Sequence, residues 1–285
     1  MNLPYLTETA INAFIHSALN EDVGGGDHSS KGSISNNETS SAELLIKDEG
    51  ILAGIELAQK IFHAVDPGLK VNSILKDGDQ VHFGDVGFTV TGKARSILTA
   101  ERLVLNCLQR MSGIATKTAQ LKKLVNHTNA ELLDTRKTTP NARIIEKWAV
   151  AIGGGRNHRF GLYDMVMLKD NHIDFAGGIT QAVNSTFKYL QQENLNLKIE
   201  VETRNLSEVE EALETGKVDR IMLDNFEVGV LMEAVDIIGG RVEVEASGGI
   251  TEETISRVAE TGVDYISVGA LTHSFRSLDI SLKAK

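Results

Sequence analysis

The spacing of apolar residues changes near residue 130, and that change divides the chain. Thr7 to Glu21 repeats at helical spacing, with Ile11, Phe14, Ile15, Ala18 and Leu19 on one face, until Gly24-Gly25-Gly26 stops it. Between Ala42 and Ile97 the runs become short and strand-like: Glu43 to Ile46, Val71 to Leu75, Val81 to Phe83 and Phe88 to Val90. Asp77-Gly78-Asp79 and Gly84-Asp85 are the turns among them, and a helix over Ile55 to Val65 ends at Asp66-Pro67-Gly68. This half predicts a compact α+β domain. Its Gly-Asp turns look like lipoyl-carrier hairpins, but no lysine stands at an exposed tip, and that reading is rejected.

A long helical stretch follows from Leu98 towards Val125, with an interruption expected at Ser112-Gly113. From Glu131 onward strand and helix alternate. The predicted strands are Glu131 to Asp134, Met165 to Leu168, Lys198 to Glu202, Arg220 to Leu223, Arg241 to Ala246 and Tyr265 to Val268. One intervening helix carries Ile179, Ala182, Val183, Phe187 and Leu190 on a single face, and another opens with Ser207-Glu208-Val209-Glu210, a match to a capping box. Such alternation implies a parallel sheet. A barrel and a doubly wound sheet would share this spacing; six clear strands favour an incomplete barrel.

Composition narrows the class. The 285 residues are 41% hydrophobic and 24% charged, an ordinary globular balance with length enough for a sizeable core. No apolar run is long enough to span a bilayer, and Met1-Asn2-Leu3-Pro4-Tyr5 lacks the pattern of a signal peptide. Cys107 is the single cysteine, set in an apolar helical pattern that suits a buried thiol. Together these predict a cytoplasmic protein. A net charge of −10 argues against nucleic acid and anionic membrane as partners. Between Asp134 and His172 the balance reverses: Arg136, Lys137, Arg143, Lys147, Arg156, Arg159 and Lys169 outnumber Asp134, Glu146, Asp164 and Asp170. One cationic stretch on an acidic protein suits a small anionic ligand.

The last two predicted strands run into Ser247-Gly248-Gly249-Ile250 and Gly269-Ala270. Glycines let backbone N–H groups approach a ligand, and a helix starting just beyond adds partial positive charge. A single Gly-Gly would be read as a tight turn. Two such turns on consecutive strands favour a phosphate site, the place where βα-barrels commonly hold one. Other strands end in Asp134-Thr135-Arg136-Lys137, Lys169-Asp170-Asn171-His172, Glu202-Thr203-Arg204 and Asp224-Asn225. Each alone could be a surface pair or a cap; four at one rim are better explained by a site. Arginine and lysine would neutralise carboxylates and phosphates, while Glu202 and Asp224 are hard oxygen ligands for ribose hydroxyls or Mg²⁺. Gly153 to Gly161 reads as a flexible loop rich in donors, with His158 an anion contact because no carboxylate is evidently placed to orient it.

Asp134-Thr135-Arg136-Lys137-Thr138-Thr139-Pro140, Gly153-Gly154-Gly155-Arg156-Asn157-His158-Arg159 and Leu168-Lys169-Asp170-Asn171-His172 closely resemble the quinolinate phosphoribosyltransferase family. Leu223-Asp224-Asn225-Phe226 and Glu245-Ala246-Ser247-Gly248-Gly249-Ile250 continue the likeness, as do Glu21-Asp22 and Gly26-Asp27, so that it covers essentially the whole chain. Asn141 departs from it, standing where a glycine is usual, and Glu202-Thr203-Arg204 follows a slightly altered spacing.

The resemblance implies an N-terminal α/β sandwich over 1–112, joined by 272–285, and an open parallel α/β barrel over 113–271. It implies a glycosyltransferase (pentosyltransferase) of pyridine nucleotide biosynthesis. Quinolinate and phosphoribosyl pyrophosphate would give nicotinate mononucleotide, pyrophosphate and CO₂, with Mg²⁺ and no organic cofactor, in a homodimer with sites shared across the interface. Arg136, His158, Arg159 and Lys169, with Arg102 of the neighbouring subunit, would hold the quinolinate carboxylates. Lys137 and Lys169 would face the pyrophosphate, Glu202 and Asp224 the ribose and metal, and Ser247, Gly248, Gly249, Gly269 and Ala270 the 5′-phosphate. Three other readings compete: a molybdenum-linked paralogue that would not turn over quinolinate, a Schiff-base aldolase using Lys169, and a nucleotide-sensing barrel without chemistry.

Overall fold

A computed structural model describes residues 3–285, so Met1 and Asn2 of the N-terminal stretch lie outside the described residues. In chain order the elements begin α1 (Glu8–Val23), α2 (His28–Ser33), β1 (Thr39–Ile46), β2 (Gly50–Ile51), α3 (Ile55–Val65), β3 (Lys70–Ser73), β4 (Gln80–Val81), β5 (Val86–Lys93) and α4 (Ala94–Val125). They continue β6 (Glu131–Leu133), α5 (Arg143–Ile152), β7 (Val166–Leu168), α6 (Asp170–Ala176), α7 (Ile179–Gln192), β8 (Ile199–Thr203), α8 (Leu206–Glu214) and β9 (Arg220–Asp224). The last are α9 (Val228–Ile238), β10 (Glu243–Ser247), α10 (Ile255–Ala259), β11 (Tyr265–Ser267), α11 (Ala270–His273) and β12 (Ile280–Ala284). Two compact units result: residues up to 119 with 137–154 and 270–285, and residues 120–136 with 155–269.

The first unit is built on an antiparallel sheet ordered β12-β1-β5-β3. Alternation puts Ala42, Leu44 and Ile46 of β1 on the buried face, and β12 brings Leu282 and Ile280 opposite Leu44 and Ile46. Phe88 of β5 meets Phe62 of α3 edge to face, ring centres 5.7 Å apart, in a core with Leu57 and Ile61. Helix α4 does not break at Ser112-Gly113; it continues for 32 residues. Both residues serve packing instead. Ser112 is buried, its Oγ accepting from Ala53 N at 2.9 Å, and a Cβ on Gly113 would stand 2.3 Å from the Arg276 carbonyl oxygen.

The second unit holds a six-stranded parallel sheet ordered β6-β11-β10-β9-β8-β7, with β6 and β7 at its edges, so it is not closed. The predicted strands and the open α/β architecture are those observed. Period-two alternation puts Ile199, Val201, Ile221 and Leu223 on one face. Glu200, Glu202, Arg220, Asp224, Glu243 and Glu245 lie on the other. Two local expectations give way. Helix α8 is capped by Asn205, whose Oδ1 accepts from Glu208 N at 3.0 Å, because the helix starts a residue before Ser207. The glycine-rich stretch is not a free loop: Arg156 pairs with the β6 edge, donating to Leu132 O at 2.8 Å and accepting from Asp134 N at 3.2 Å. No helix among the described residues is long and apolar enough to cross a membrane.

Candidate active site

The strand ends of the parallel sheet gather most of the expected side chains in the second unit. Beyond β6, Asp134 is fully buried, its carboxylate accepting from Asn157 Nδ2 at 2.6 Å and His158 N at 2.9 Å. This fastens the Arg156–Arg159 segment over the sheet and leaves Arg136 exposed beside it in sequence. Arg159 is only 9% exposed, with Nη1 donating to Met165 O at 3.2 Å. Burial, and then the nearby Arg136 guanidinium, push Arg159 below its ordinary value. Two guanidiniums near enough to repel, one of them buried, have the chemistry to take a carboxylate or phosphate.

At the next strand ends, Lys169 Nζ stands 2.7 Å from Glu202 Oε2, linking β7 to β8. Its backbone N–H donates to His172 Nδ1 at 3.0 Å where α6 begins. A Schiff-base lysine works from an apolar pocket; Lys169 is half exposed and ion-paired, which disfavours the aldolase reading. Asp224 at the end of β9 accepts from Asn225 Nδ2 at 2.7 Å. Asn225 adopts a left-handed φ of 58°, and its N–H donates to Ser247 O at 2.9 Å. Gly248 and Gly249 follow with φ of 91° and 60°, and a cavity of about 280 Å³ opens among Asn225, Phe226, Ser247, Gly248, Gly249 and Ile250. Positive φ and a cavity at this strand end fit backbone capture of a phosphate. Gly269 ends the β11 turn in the same unit.

Three expected residues lie in the first unit. Lys137 is exposed, its carbonyl accepting from Thr272 Oγ1 at 2.9 Å, and lines a cavity of about 450 Å³ with Arg110, Thr138, Thr139, Thr272, His273 and Phe275. Ala270 begins α11, and Arg102 is exposed on α4. The sequence reading missed Arg110, Glu146 and His273. Glu146 is fully buried and accepts from Arg110 Nε at 2.9 Å and Thr139 N at 3.2 Å, which holds the loop bearing Lys137. A glutamate on the buried face of an amphipathic helix was the available signal.

His158 departs most from expectation. Two carboxylates flank it: Nε2 stands 3.0 Å from Glu200 Oε2 and 3.3 Å from Glu245 Oε2, and Nδ1 accepts from Arg159 N at 2.7 Å. The ring faces inward, 8% exposed, with Nδ1 taken by the Arg159 amide and Nε2 lying against the two carboxylates. Burial disfavours an imidazolium here, while Glu200 and Glu245 beside Nε2 favour positive charge on the ring. The amide hydrogen aimed at Nδ1 opposes a second ring proton, and fixed atoms set that bond, so the proton the carboxylates stabilise is the one on Nε2. Burial and Glu245 push Glu200 up. Glu245 is held down against its own burial by His158 and by Arg220, whose Nη1 is 3.0 Å away.

Ligand-type atoms of His158, Glu200 and Glu245 lie within 4.8 Å of one another, the spacing of a metal triad. A metal needs a bare ring nitrogen, whereas the amide bond at Nδ1 leaves the proton on Nε2, and Arg220 already neutralises Glu245. Glu202 and Asp224, carboxylates at the ends of adjacent strands, are the donor type a hard cation takes, with Glu202 paired to Lys169 as Glu245 is to Arg220.

An open parallel α/β sheet with buried arginine, paired lysine and a glycine-lined cavity at its strand ends has the make-up of an open α/β-barrel enzyme suited to anionic ligands. Comparison with known proteins makes this particular. The quinolinate phosphoribosyl transferase N-terminal domain matches residues 27–112, and the C-terminal domain of that name matches 114–283. The chain is 51% identical to quinolinate phosphoribosyltransferase [decarboxylating] 1b of Nicotiana tabacum, over 96% of this chain and 82% of that one. It is 43% identical to a probable nicotinate-nucleotide pyrophosphorylase [carboxylating] of Bacillus subtilis, over 92% and 89%. The crystal structure of NadC from Streptococcus pyogenes superposes with a TM-score of 0.91 at 41% identity, covering 98% of this chain and 97% of that one. The chain belongs to the quinolinate phosphoribosyltransferase family.

Proposed function

We propose that the strand ends of the parallel sheet are the active site at which the chain transfers a phosphoribosyl group from phosphoribosyl pyrophosphate to quinolinate with decarboxylation. The products are nicotinate mononucleotide, pyrophosphate and CO₂, and the step belongs to NAD biosynthesis. The observation that carries this reading is the buried Arg159 near Arg136, with Lys169 at the end of β7: cations in number for a dianion. The Ser247-Gly248-Gly249 turn, with Gly269 after β11, takes the 5′-phosphate.

The C1–oxygen bond to pyrophosphate loosens first, its electron pair leaving with the pyrophosphate while cations stabilise the developing charge. The pyridine nitrogen then donates its lone pair to C1. The ring becomes a cation, so the bond to the adjacent carboxylate breaks, its electron pair stays on the ring carbon, CO₂ departs and that carbon takes a proton. The protein has only to place the two substrates and polarise them. Glu202 and Asp224 would hold Mg²⁺ together with substrate oxygens, where it would supply positive charge to the pyrophosphate.

We place the enzyme in the cytoplasm as a homodimer with shared sites and leave a higher oligomer open. The lone Cys107 and the net charge of −10 support that compartment and argue against nucleic-acid or membrane partners. Relatives named chloroplastic or mitochondrial mark the alternative address. Exposed Leu162, Tyr163 and Phe175 support association. The test is incubation with quinolinate, phosphoribosyl pyrophosphate and Mg²⁺, with assay of nicotinate mononucleotide and CO₂. Substrate binding without turnover would instead favour the sensing barrel or the molybdenum-linked paralogue.

A further inference from the structure

Beneath the proposed quinolinate cations lies a buried cluster with no part in the chemistry above. Glu200 on β8 and Glu245 on β10 are fully buried, and between them stands the His158 ring, facing both carboxylates through Nε2. Arg220 on β9 closes the cluster, with Nη1 3.0 Å from Glu245 Oε2 and Nη2 3.0 Å from Glu243 Oε2. Sheet register explains the meeting, because Glu200 pairs with Arg220 and Arg220 with Glu243 across β8, β9 and β10. Above the ring, Asp134 grips His158 N at 2.9 Å and Asn157 Nδ2 at 2.6 Å, and the ring's own Nδ1 takes Arg159 N at 2.7 Å.

These contacts converge on one backbone point. Turning the Arg159 amide would break its bond to Nδ1, and turning the ring would carry Nε2 away from its place 3.0 and 3.3 Å from the two carboxylates. The chain thereby fixes where the Arg159 side chain departs, and Met165 O receives its guanidinium at 3.2 Å. We propose that His158 is a positioning residue for Arg159, held from beneath by Glu200 and Glu245, and that its effect on quinolinate passes through the Arg159 guanidinium. The inference rests on reading Arg159 as a quinolinate contact. It differs from the direct carboxylate contact that family likeness implies for His158.

The test is a double-mutant cycle on kcat/KM for quinolinate at saturating phosphoribosyl pyrophosphate and Mg²⁺, with Arg159→Ala crossed against His158→Ala and against Glu245→Gln. Each of the last two should lower kcat/KM for quinolinate roughly tenfold and change KM for phosphoribosyl pyrophosphate by less than about twofold. In the Arg159→Ala background each should cost less than about twofold more, since the group they position is gone. Glu245→Asp should restore part of the loss. Should Glu245→Gln melt early, Glu200→Gln takes its place in the same cycle. Independent losses, as large with Arg159→Ala as without it, would overturn the inference in favour of direct contact, and equal losses for both substrates would overturn it in favour of a general structural role. If Arg159→Ala alone leaves kcat/KM for quinolinate unchanged, the functional assignment of Arg159 fails instead.

Discussion

Gly248 and Gly249 are neighbours with different work. A Cβ on Gly248 would stand 2.3 Å from Asn225 Oδ1 and 2.8 Å from Asn225 N, at a φ of 91° that L residues avoid. On Gly249 the nearest neighbour is Asn225 Oδ1 at 4.0 Å, so the wall is open and only the φ of 60° resists. Gly248→Ala should therefore lower the melting temperature by several degrees, an overpacking cost of about 1–3 kcal/mol. Gly249→Val should fold but weaken phosphoribosyl pyrophosphate more than quinolinate, by obstructing approach of the 5′-phosphate. Calorimetry on the two ligands and thermal melts of both variants check this; equal ligand losses for Gly249→Val would count against the phosphate assignment. The cation set leads to a second expectation. With Arg136, Arg159 and Lys169 matched to two carboxylates, nicotinate leaves one cation unanswered at a cost of about 1–3 kcal/mol, so its kcat/KM should fall at least about fivefold below that of quinolinate. Similar kcat/KM values for the two acids would refute the match.

At the scale of elements, α4 offers a direct contest between propensity and packing. Replacing Gly113 by alanine gains up to about 1 kcal/mol of helix propensity. The new Cβ, however, would meet a backbone oxygen, Arg276 O, at 2.3 Å, and backbone cannot step aside as a flexible side chain can. Packing should win, and Gly113→Ala should melt below wild type; a raised melting temperature would show that the 274–278 segment yields. The same residue shows why α4 was read as broken. Local sequence registers a glycine as a helix breaker, while its reason here is a chain segment more than 160 residues away. The parallel strands were legible because short strand-like segments, several alternating apolar with charged residues, recur between helical ones, and Glu202, Asp224 and Gly248 were legible because they stand where those segments stop. The cluster of His158, Glu200 and Glu245 was not. Its members lie 42 and 45 residues apart in sequence and meet only through sheet register. Asn141 is a middle case: it stands where the family usually has glycine, and its φ of 65° shows that asparagine meets the same left-handed demand.

For the whole molecule, the question is whether one subunit suffices. Arg102 is exposed on α4 in the first unit, beside the buried Leu103, Val104 and Leu105. A solvated arginine there needs no explanation within its own unit. The proposed shared site gives it one: a bidentate contact to quinolinate bound by the neighbouring subunit, which would tie activity to dimerisation. Mixing Arg102→Ala with Lys169→Ala, each inactive alone, under conditions that allow subunit exchange tests this directly. If Arg102 serves its neighbour and Lys169 its own subunit, a mixed dimer carries one site with both lesions and one with neither. Random exchange between equal amounts makes about half of the dimers mixed, so activity should return towards roughly a quarter of wild type. If Arg102 serves its own subunit, every site in the mixture keeps one lesion and activity stays absent however complete the exchange. Mass spectrometry of differently labelled subunits establishes that exchange has occurred, so that an inactive mixture assigns Arg102 to its own subunit rather than reporting a failure to mix.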